Sequence, residues 1–295
     1  MNTKHLLVFG LGYTGAAIAA RAAGQGWRVT ATSRNPARLQ PPAGVALIPF
    51  GEAAQAVLGA THLVQTAAPA DNGDPALAVY GAQVAQSPGL RWVGYLSTTG
   101  VYGDHAGGWV DEDTPPSPGN ERGVRRVAAE DAWRAACARC AVDIFRVAGI
   151  YGPGRSAFDD MRAGQARRVF KPGHLFGRIH RDDIAAAVLA AMAQDRPPHD
   201  GQPGARVLNL ADDEPAASAD VVAEAARLLD VPPLPLIPFE DALPGMSAMG
   251  RSFWAENRRV RSAKTQAALG LRWAYPTYRE GLRAILQQEA GEGPA

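Results

Sequence analysis

Residues 5–24 read HLLVFGLGYTGAAIAARAAG: an apolar run, three glycines spaced G-x-G-x-x-G at Gly10, Gly12 and Gly15, and then an alanine-rich stretch. Nothing else in the chain restricts its fold as much. A short buried strand that must turn at once into a helix is the opening unit of a layered α/β sheet. With 32 glycines in the chain the spacing alone arises by chance, so its meaning comes from lying between strand and helix. Gly10 permits the tight turn, Gly12 lets the backbone approach a diphosphate, and Gly15 lets helix close on strand. Tyr13 and Thr14 complete the turn, and the helix start offers free N–H groups to phosphate oxygens.

The same texture continues. Apolar runs predict strands at 5–10, 27–32, 45–50, 62–68, 90–97, 142–148 and 206–210, with helices at 15–23, 75–86, 121–139 and 182–194 between them. That alternation implies an α/β, doubly wound parallel sheet whose ligands sit beyond the carboxyl ends of the strands. After residue 150 the composition shifts. Residues 151–180 are rich in Gly and Arg, and 231–250 are crowded with Pro and Gly. The expected division is a dinucleotide-binding domain from 1–150 plus 180–210 and a smaller C-terminal substrate lobe from 151–179 plus 211–295. A last helix is expected at 277–289, with the final GEGPA frayed.

A chain of 295 residues, 46% of them hydrophobic, can bury a core without disulfides or a structural metal. Thirty Lys+Arg against 29 Asp+Glu leave a charge of +1, which excludes a generic nucleic-acid coat or an acidic tail. Residues 1–23 imitate a secretory leader, but Gly10, Gly12 and Gly15 interrupt the apolar stretch. No run approaches the ~18 apolar residues of a membrane span. The expectation is a cytoplasmic protein that binds neither membrane nor nucleic acid. Cys137 and Cys140 lack a second ligand pair and the six His lack metal spacing, so no metal is expected and the thiols are read as half-buried helix residues.

An NAD site usually carries an acid at the end of the second strand for the ribose hydroxyls. Residues 29–39 contain no Asp or Glu, whereas Ser33 and Arg34 suit a 2′-phosphate. NADP is therefore expected ahead of NAD.

Four segments now carry a family resemblance: Gly10–Gly15, LSTTGVYG at 96–103, RVAGIYGPG at 146–154 and RIHRDDIA at 178–185. With Leu269-Gly270 and Tyr275-Pro276-Thr277 the match spans most of the chain, which resembles the extended short-chain dehydrogenase/reductases, the NAD(P)-dependent epimerase/dehydratase group. The resemblance implies a Rossmann-type fold. It implies that Thr98 hydrogen-bonds the reacting oxygen and that Ala67-Ala68-Pro69 pass beside the cofactor. It also places a catalytic Tyr and Lys four apart on the following helix, with a Glu four residues later. Here Arg122 stands at the Tyr position, Arg126 at the Lys position and Glu130 at the Glu position. No Tyr-x-x-x-Lys occurs anywhere in the chain. The pattern resembles the atypical subgroup that keeps the cofactor turn and varies the active-site residues.

Guanidinium keeps its proton beyond pH ~12 and cannot shuttle it as tyrosine does. Arg126 is read as holding the cofactor ribose, and Arg122 as stabilising an oxyanion or binding an anionic substrate. The acidic pair that a dehydratase carries after the Thr is replaced by Thr99 and Gly100, which disfavours dehydration. From Arg155 to Arg181 seven cations face only Asp159 and Asp160. Thr99, Tyr102, Arg155, Lys171 and Arg178 are accordingly read as contacts for a small anionic substrate resembling a nucleotide sugar. Asp182 and Asp183 are read as helix caps, and Asp104, His105 or Tyr102 as stand-ins for the missing proton donor. Two functional readings follow: an NADP-dependent oxidoreductase or epimerase-like enzyme, or a non-catalytic NADP(H)-binding sensor. A homodimer is compatible with either.

Overall fold

The computed structural model describes residues 4–137, 139–194, 196–197 and 205–291. The fraying expected at the C-terminus falls, beyond Gly291, outside the described residues.

The opening run forms strand β1 (His5–Phe9), followed by helix α1 (Tyr13–Gly24). Strands β2 (Arg28–Ser33) and β3 (Val45–Pro49) continue outward on one side of β1. Helix α2 (Ala54–Gly59) then returns the chain across the sheet to β4 (His62–Gln65) on β1's other side. Helix α3 (Pro75–Gln86), β5 (Trp92–Thr98), α4 (Glu121–Ala136), β6 (Ala141–Val147), α5 (Arg181–Ala193) and β7 (Arg206–Leu210) complete the frame. The order is β7-β6-β5-β4-β1-β2-β3, with every neighbouring pair parallel. Because the chain departs from β1 in both directions, a crevice opens beyond the carboxyl ends of β1 and β4, the place where such sheets hold ligands.

Side chains alternate between the two faces of a strand, and β1 shows why the sheet is doubly wound. Leu6 and Val8 pack with Ile18, Ala19 and Ala22 of α1 and with Ile184 and Val188 of α5. Leu7 and Phe9 pack on the opposite face with Val57 of α2, Tyr80 and Val84 of α3 and Trp133 of α4. Each large apolar side chain buried in this way contributes about 1.5–3 kcal/mol. All five β1 side chains are buried, as expected of a parallel strand covered on both faces.

The remaining chain builds three short parallel strand pairs: Gly149–Tyr151 with Arg178–His180, Arg168–Phe170 with Leu236–Pro238, and Trp109–Val110 with Arg259–Val260. Tyr151, Phe158, Ala225, Tyr278, Leu282 and Ile285 form a separate small core. Leu269 and Trp273, close in sequence to that core, instead pack into the core of the main sheet.

Two boundaries differ from the sequence expectation by three residues. Helix α4 ends at Ala136 because the backbone leaves helical geometry at Cys137 (φ −117°, ψ 46°). Strand β4 ends at Gln65, and the last main-chain bond to β1 runs from Thr66 N–H to the Phe9 carbonyl at 3.0 Å. Helix α2 was not anticipated, since six residues are too few to display a helical period.

Candidate functional site

At the end of β1, Gly10 adopts φ +94°, which L side chains rarely tolerate. A Cβ on Gly15 would lie 2.1 Å from the Gly10 carbonyl oxygen, so α1 packs on the turn only without one. A Cβ on Gly12 would meet nothing within 4 Å, and this is the open side of the turn. No side chain caps the start of α1 and no acid occupies its first turn, so its N–H groups and positive dipole end face outward. Thr14 is buried beneath the turn. Thr32 on β2 anchors it, accepting from Leu11 N–H through its carbonyl at 2.9 Å and from Gly10 N–H through Oγ1 at 3.3 Å. One residue on, Ser33 Oγ accepts from Asn35 N–H at 3.0 Å, and the exposed Arg34 has no carboxylate partner among the described residues.

Sequence reasoning missed the support of this turn. Thr66 Oγ1 bonds the carbonyl oxygens of Phe9 at 3.0 Å and Gly10 at 2.8 Å. The fully buried Gln65 donates Nε2 to both Asp74 oxygens at 2.9 Å and accepts Ala67 N–H at 3.1 Å. That pair holds the loop Ala67-Ala68-Pro69 against the glycine turn. The available signal was an amide side chain in an otherwise apolar strand.

Thr98 ends β5, where its Oγ1 accepts Gly100 N–H at 3.1 Å. Its hydroxyl proton remains available to a ligand oxygen. Asn120 caps α4 by accepting Gly123 N–H at 2.9 Å, and a Cβ on Gly123 would lie 3.4 Å from the Gly100 carbonyl oxygen. The first turn of α4 is thereby set against the segment after Thr98. Arg122 projects from that turn with its guanidinium 5.9 Å from the Phe253 ring centroid and no carboxylate partner among the described residues. Burial, and then the charge of Arg126, lower its pKa.

Arg126, read from sequence as a ribose contact, has one terminal nitrogen committed to the protein. It is buried, and Nη1 donates to the Leu96 carbonyl at 2.7 Å and to Tyr95 Oη at 3.3 Å, so it braces the end of β5. Its neighbour Arg125 turns outward to Asp71 across an open groove of about 600 Å³ that Asn120 and Val124 also line.

Glu130 is fully buried and accepts from Ser97 Oγ at 2.6 Å and from Arg146 Nε and Nη2 at 3.2 and 2.9 Å. The Arg146 guanidinium lies 4.8 Å from the ring centroid of Tyr102. Tyr102 is fully buried and donates to Asn209 Oδ1 at 2.7 Å, and burial raises its pKa. It is part of the core between β5 and β7, neither a substrate contact nor a proton donor. Thr99, in contrast, starts the turn beside Thr98 and is itself buried.

Two further cations read as substrate contacts are also committed to the protein. Lys171 donates to the Trp254 carbonyl at 2.9 Å and sits 4.6 Å above the Phe239 ring. Arg178 Nη1 donates to the carbonyls of Phe176 and Ala216, both at 2.9 Å. Arg155 is exposed and lies instead beside Tyr13, 5.7 Å from its ring centroid. Asp104 Oδ1 accepts Asn257 N–H at 2.8 Å, and that bond lowers its pKa, while His105 Nε2 lies 3.1 Å from the Tyr102 carbonyl. Both staple a loop. His180, not either aspartate, caps α5, and Asp183 ties down Ala274 and Tyr275 N–H at 2.8 and 3.0 Å.

Cys137 and Cys140 are both buried just past α4, with the Cys137 thiol raised by its hydrogen bond to Cys140 and by burial. Among the described residues no His, Cys, Asp and Glu group has metal-site geometry, and no helix is long and apolar enough to cross a membrane.

No family model matches the chain. A solved structure of a conserved protein of unknown function from Silicibacter pomeroyi DSS is 45% identical, with a TM-score of 0.86 over 98% of this chain and 99% of that one. A Methylobacillus flagellatus structure assigned to the NAD-dependent epimerase/dehydratases is 25% identical, with a TM-score of 0.73 over 98% and 100%. The chain's structural neighbours are NAD(P)-dependent epimerase/dehydratase proteins of the short-chain dehydrogenase/reductase family. Protein YeeZ of Escherichia coli K12 is 26% identical over 247 residues, 78% of this chain and 85% of that protein. At the level of fold alone the group includes MoeE5 with UDP-glucuronic acid and NAD (21% identity, TM-score 0.76, 97% and 99% covered) and human SDR39U1 with NADPH (19%, 0.72, 96% and 99%). Neighbours of this fold therefore bind either dinucleotide.

Proposed function

We propose that the protein is an NADP-dependent oxidoreductase or epimerase-like enzyme acting on a hydroxyl or carbonyl of a small anionic substrate. The observation that carries this reading is the open face of Gly12, joined through the Leu11–Thr32 bond to a β2 end with Arg34 and no acid. A diphosphate fits the uncapped start of α1, and a 2′-phosphate fits Ser33 and Arg34. A nicotinamide coenzyme supplies or accepts hydride when bound.

The chain's own residues act on the substrate oxygen. Thr98, with its oxygen occupied by Gly100 N–H, donates its hydroxyl proton to that oxygen and orients it. Arg122, with no carboxylate partner among the described residues, stabilises negative charge there or holds a substrate carboxylate or phosphate. The MoeE5 ligand, UDP-glucuronic acid, is an example of such an anionic substrate. The dinucleotide domain would comprise 1–150 plus 180–210 and the substrate lobe 151–179 plus 211–295, in a cytoplasmic protein able to pair as a homodimer.

A second reading, an NADP(H)-binding sensor without turnover, is favoured by the burial of Tyr102 and the guanidinium at position 122, which together leave no assigned proton shuttle near Thr98. Fluorescence titration with NADPH and NADH, followed by hydride and deuterium exchange across nucleotide sugars and small carbonyl compounds, separates the two. The enzyme reading requires tighter NADPH than NADH binding and turnover that Thr98→Ala abolishes. Tight NADPH binding with no exchange across the panel supports the sensor. Absence of saturable binding to either coenzyme defeats both.

A further inference from the structure

Two arginines from separate segments meet on the one aromatic ring of the glycine turn. Tyr13 is half-buried and donates its hydroxyl to the Pro153 carbonyl at 3.0 Å. The turn that contains Pro153 is closed by main-chain bonds between Gly152 and Arg155 of 3.1 and 3.0 Å. It places the Arg155 guanidinium 5.7 Å from the Tyr13 ring centroid. Arg181, the first residue of α5, places its guanidinium 4.9 Å from the same centroid. The packing behind them is close: a Cβ on Gly152 would lie 2.6 Å from Tyr13 Oη and 3.5 Å from His180 Nε2, an atom that is buried and without a hydrogen-bond partner.

These two charges are only partly used by the protein. The Arg155 guanidinium has no hydrogen bond or ion pair among the described residues, and the neighbouring Asp159 is committed to Ser156 N–H and Oγ at 2.7 and 2.6 Å. Arg181 gives Nε to Asp182 at 3.0 Å, and neither of its terminal nitrogens has an acceptor among the described residues. Each cation is attracted to the face of the ring, and mutual repulsion of the two cations offsets part of that gain. An anion between them reverses the sign of the balance. Planar guanidinium donors match phosphate oxygens in pairs, and Tyr13 follows directly on Gly12, whose open face borders the start of α1.

We propose that Arg155 and Arg181 form a diphosphate clamp that closes over the glycine turn, with Tyr13 as the spacer that sets its position. This rests on the turn being the coenzyme site, and it moves Arg155 from the substrate to the coenzyme. The recognised chemistry is a P–O–P bridge, which either a coenzyme or a nucleotide-linked substrate carries. Its location on Tyr13 assigns the clamp to the coenzyme. Occupancy then joins the Gly152–Arg155 segment to the main sheet.

The test is equilibrium titration of the full chain, wild type, Arg155→Gln, Arg181→Gln and Arg181→Lys, with NADPH, ADP-ribose, 2′-AMP and UDP. Each Gln variant is expected to weaken NADPH and ADP-ribose about tenfold, and Arg181→Lys to restore most of the loss. Affinity for 2′-AMP, which lacks a diphosphate, should not change, nor should affinity for UDP. NADPH binding within twofold of wild type in both Gln variants overturns the clamp. So does an equal loss for 2′-AMP, which marks a purely structural role, or a loss confined to UDP, which assigns the pair to a substrate. Wild-type protein that binds no NADPH at all overturns the coenzyme reading itself, a result distinct from failure of the clamp.

Discussion

Gly12→Ala separates what the glycine turn does for the fold from what it does for a ligand. Gly12 has φ −87° and ψ −166°, an extended conformation that alanine adopts without strain. The new Cβ meets no atom within 4 Å. Losing glycine at a helix start costs about 0.5–1 kcal/mol, and the stiffer unfolded chain returns about 0.4–1 kcal/mol, so the two nearly cancel. Thermal unfolding should therefore move by no more than about 2 °C. Binding should behave differently, because the methyl occupies the open face where a diphosphate must reach backbone N–H. One or two charge-assisted hydrogen bonds lost at about 1.5–3 kcal/mol each give a rise in the NADPH dissociation constant of roughly 10-fold to 10⁴-fold. NADPH fluorescence titration and a melting curve on the same sample measure both effects. A variant that melts like wild type and binds NADPH within threefold of it would refute the placement of the diphosphate at Gly12. Gly15→Ala is the contrasting case: its Cβ would lie 2.1 Å from the Gly10 carbonyl oxygen, so it should destabilise the fold itself.

Removing Glu130 leaves the buried Arg146 guanidinium without its carboxylate, so Glu130→Ala should cost about 3–5 kcal/mol in urea unfolding. A loss under ~1 kcal/mol would show that the ion pair is not a structural element. Tyr102→Phe removes the bond to Asn209 and should cost about 1 kcal/mol of stability while leaving any turnover intact. An intact variant with lost turnover would return Tyr102 to the chemistry. Asp212 is buried with neither carboxylate oxygen hydrogen-bonded among the described residues, and its pKa is raised well above the ordinary carboxylate value by burial. Such a group stabilises the fold fully below its unfolded pKa and loses that contribution as pH rises through its folded pKa. Asp212→Asn should therefore stabilise the protein by about 1–3 kcal/mol at pH 7 and converge on wild type near pH 4. Denaturant midpoints at the two pH values measure this, and equal gains at both would contradict the buried-charge account.

The chain's local patterns settled the frame: a strand turning into a helix at Gly10–Gly15, the repeating alternation that makes a parallel sheet, and the acid-free end of β2 beside Ser33 and Arg34. These are legible because a strand's burial, a glycine's allowed φ and a helix start all depend on residues within a few positions of one another. The destinations of the long polar side chains were decided elsewhere. Tyr102 finds Asn209, Arg178 finds the Ala216 carbonyl, Lys171 finds the Trp254 carbonyl and Arg126 turns to Leu96. A cation in sequence looks the same whether it awaits an anion or serves a main-chain carbonyl. Only tertiary packing, by deciding which carbonyls are buried without a partner, determines which arginines the protein consumes and which it leaves free for a ligand.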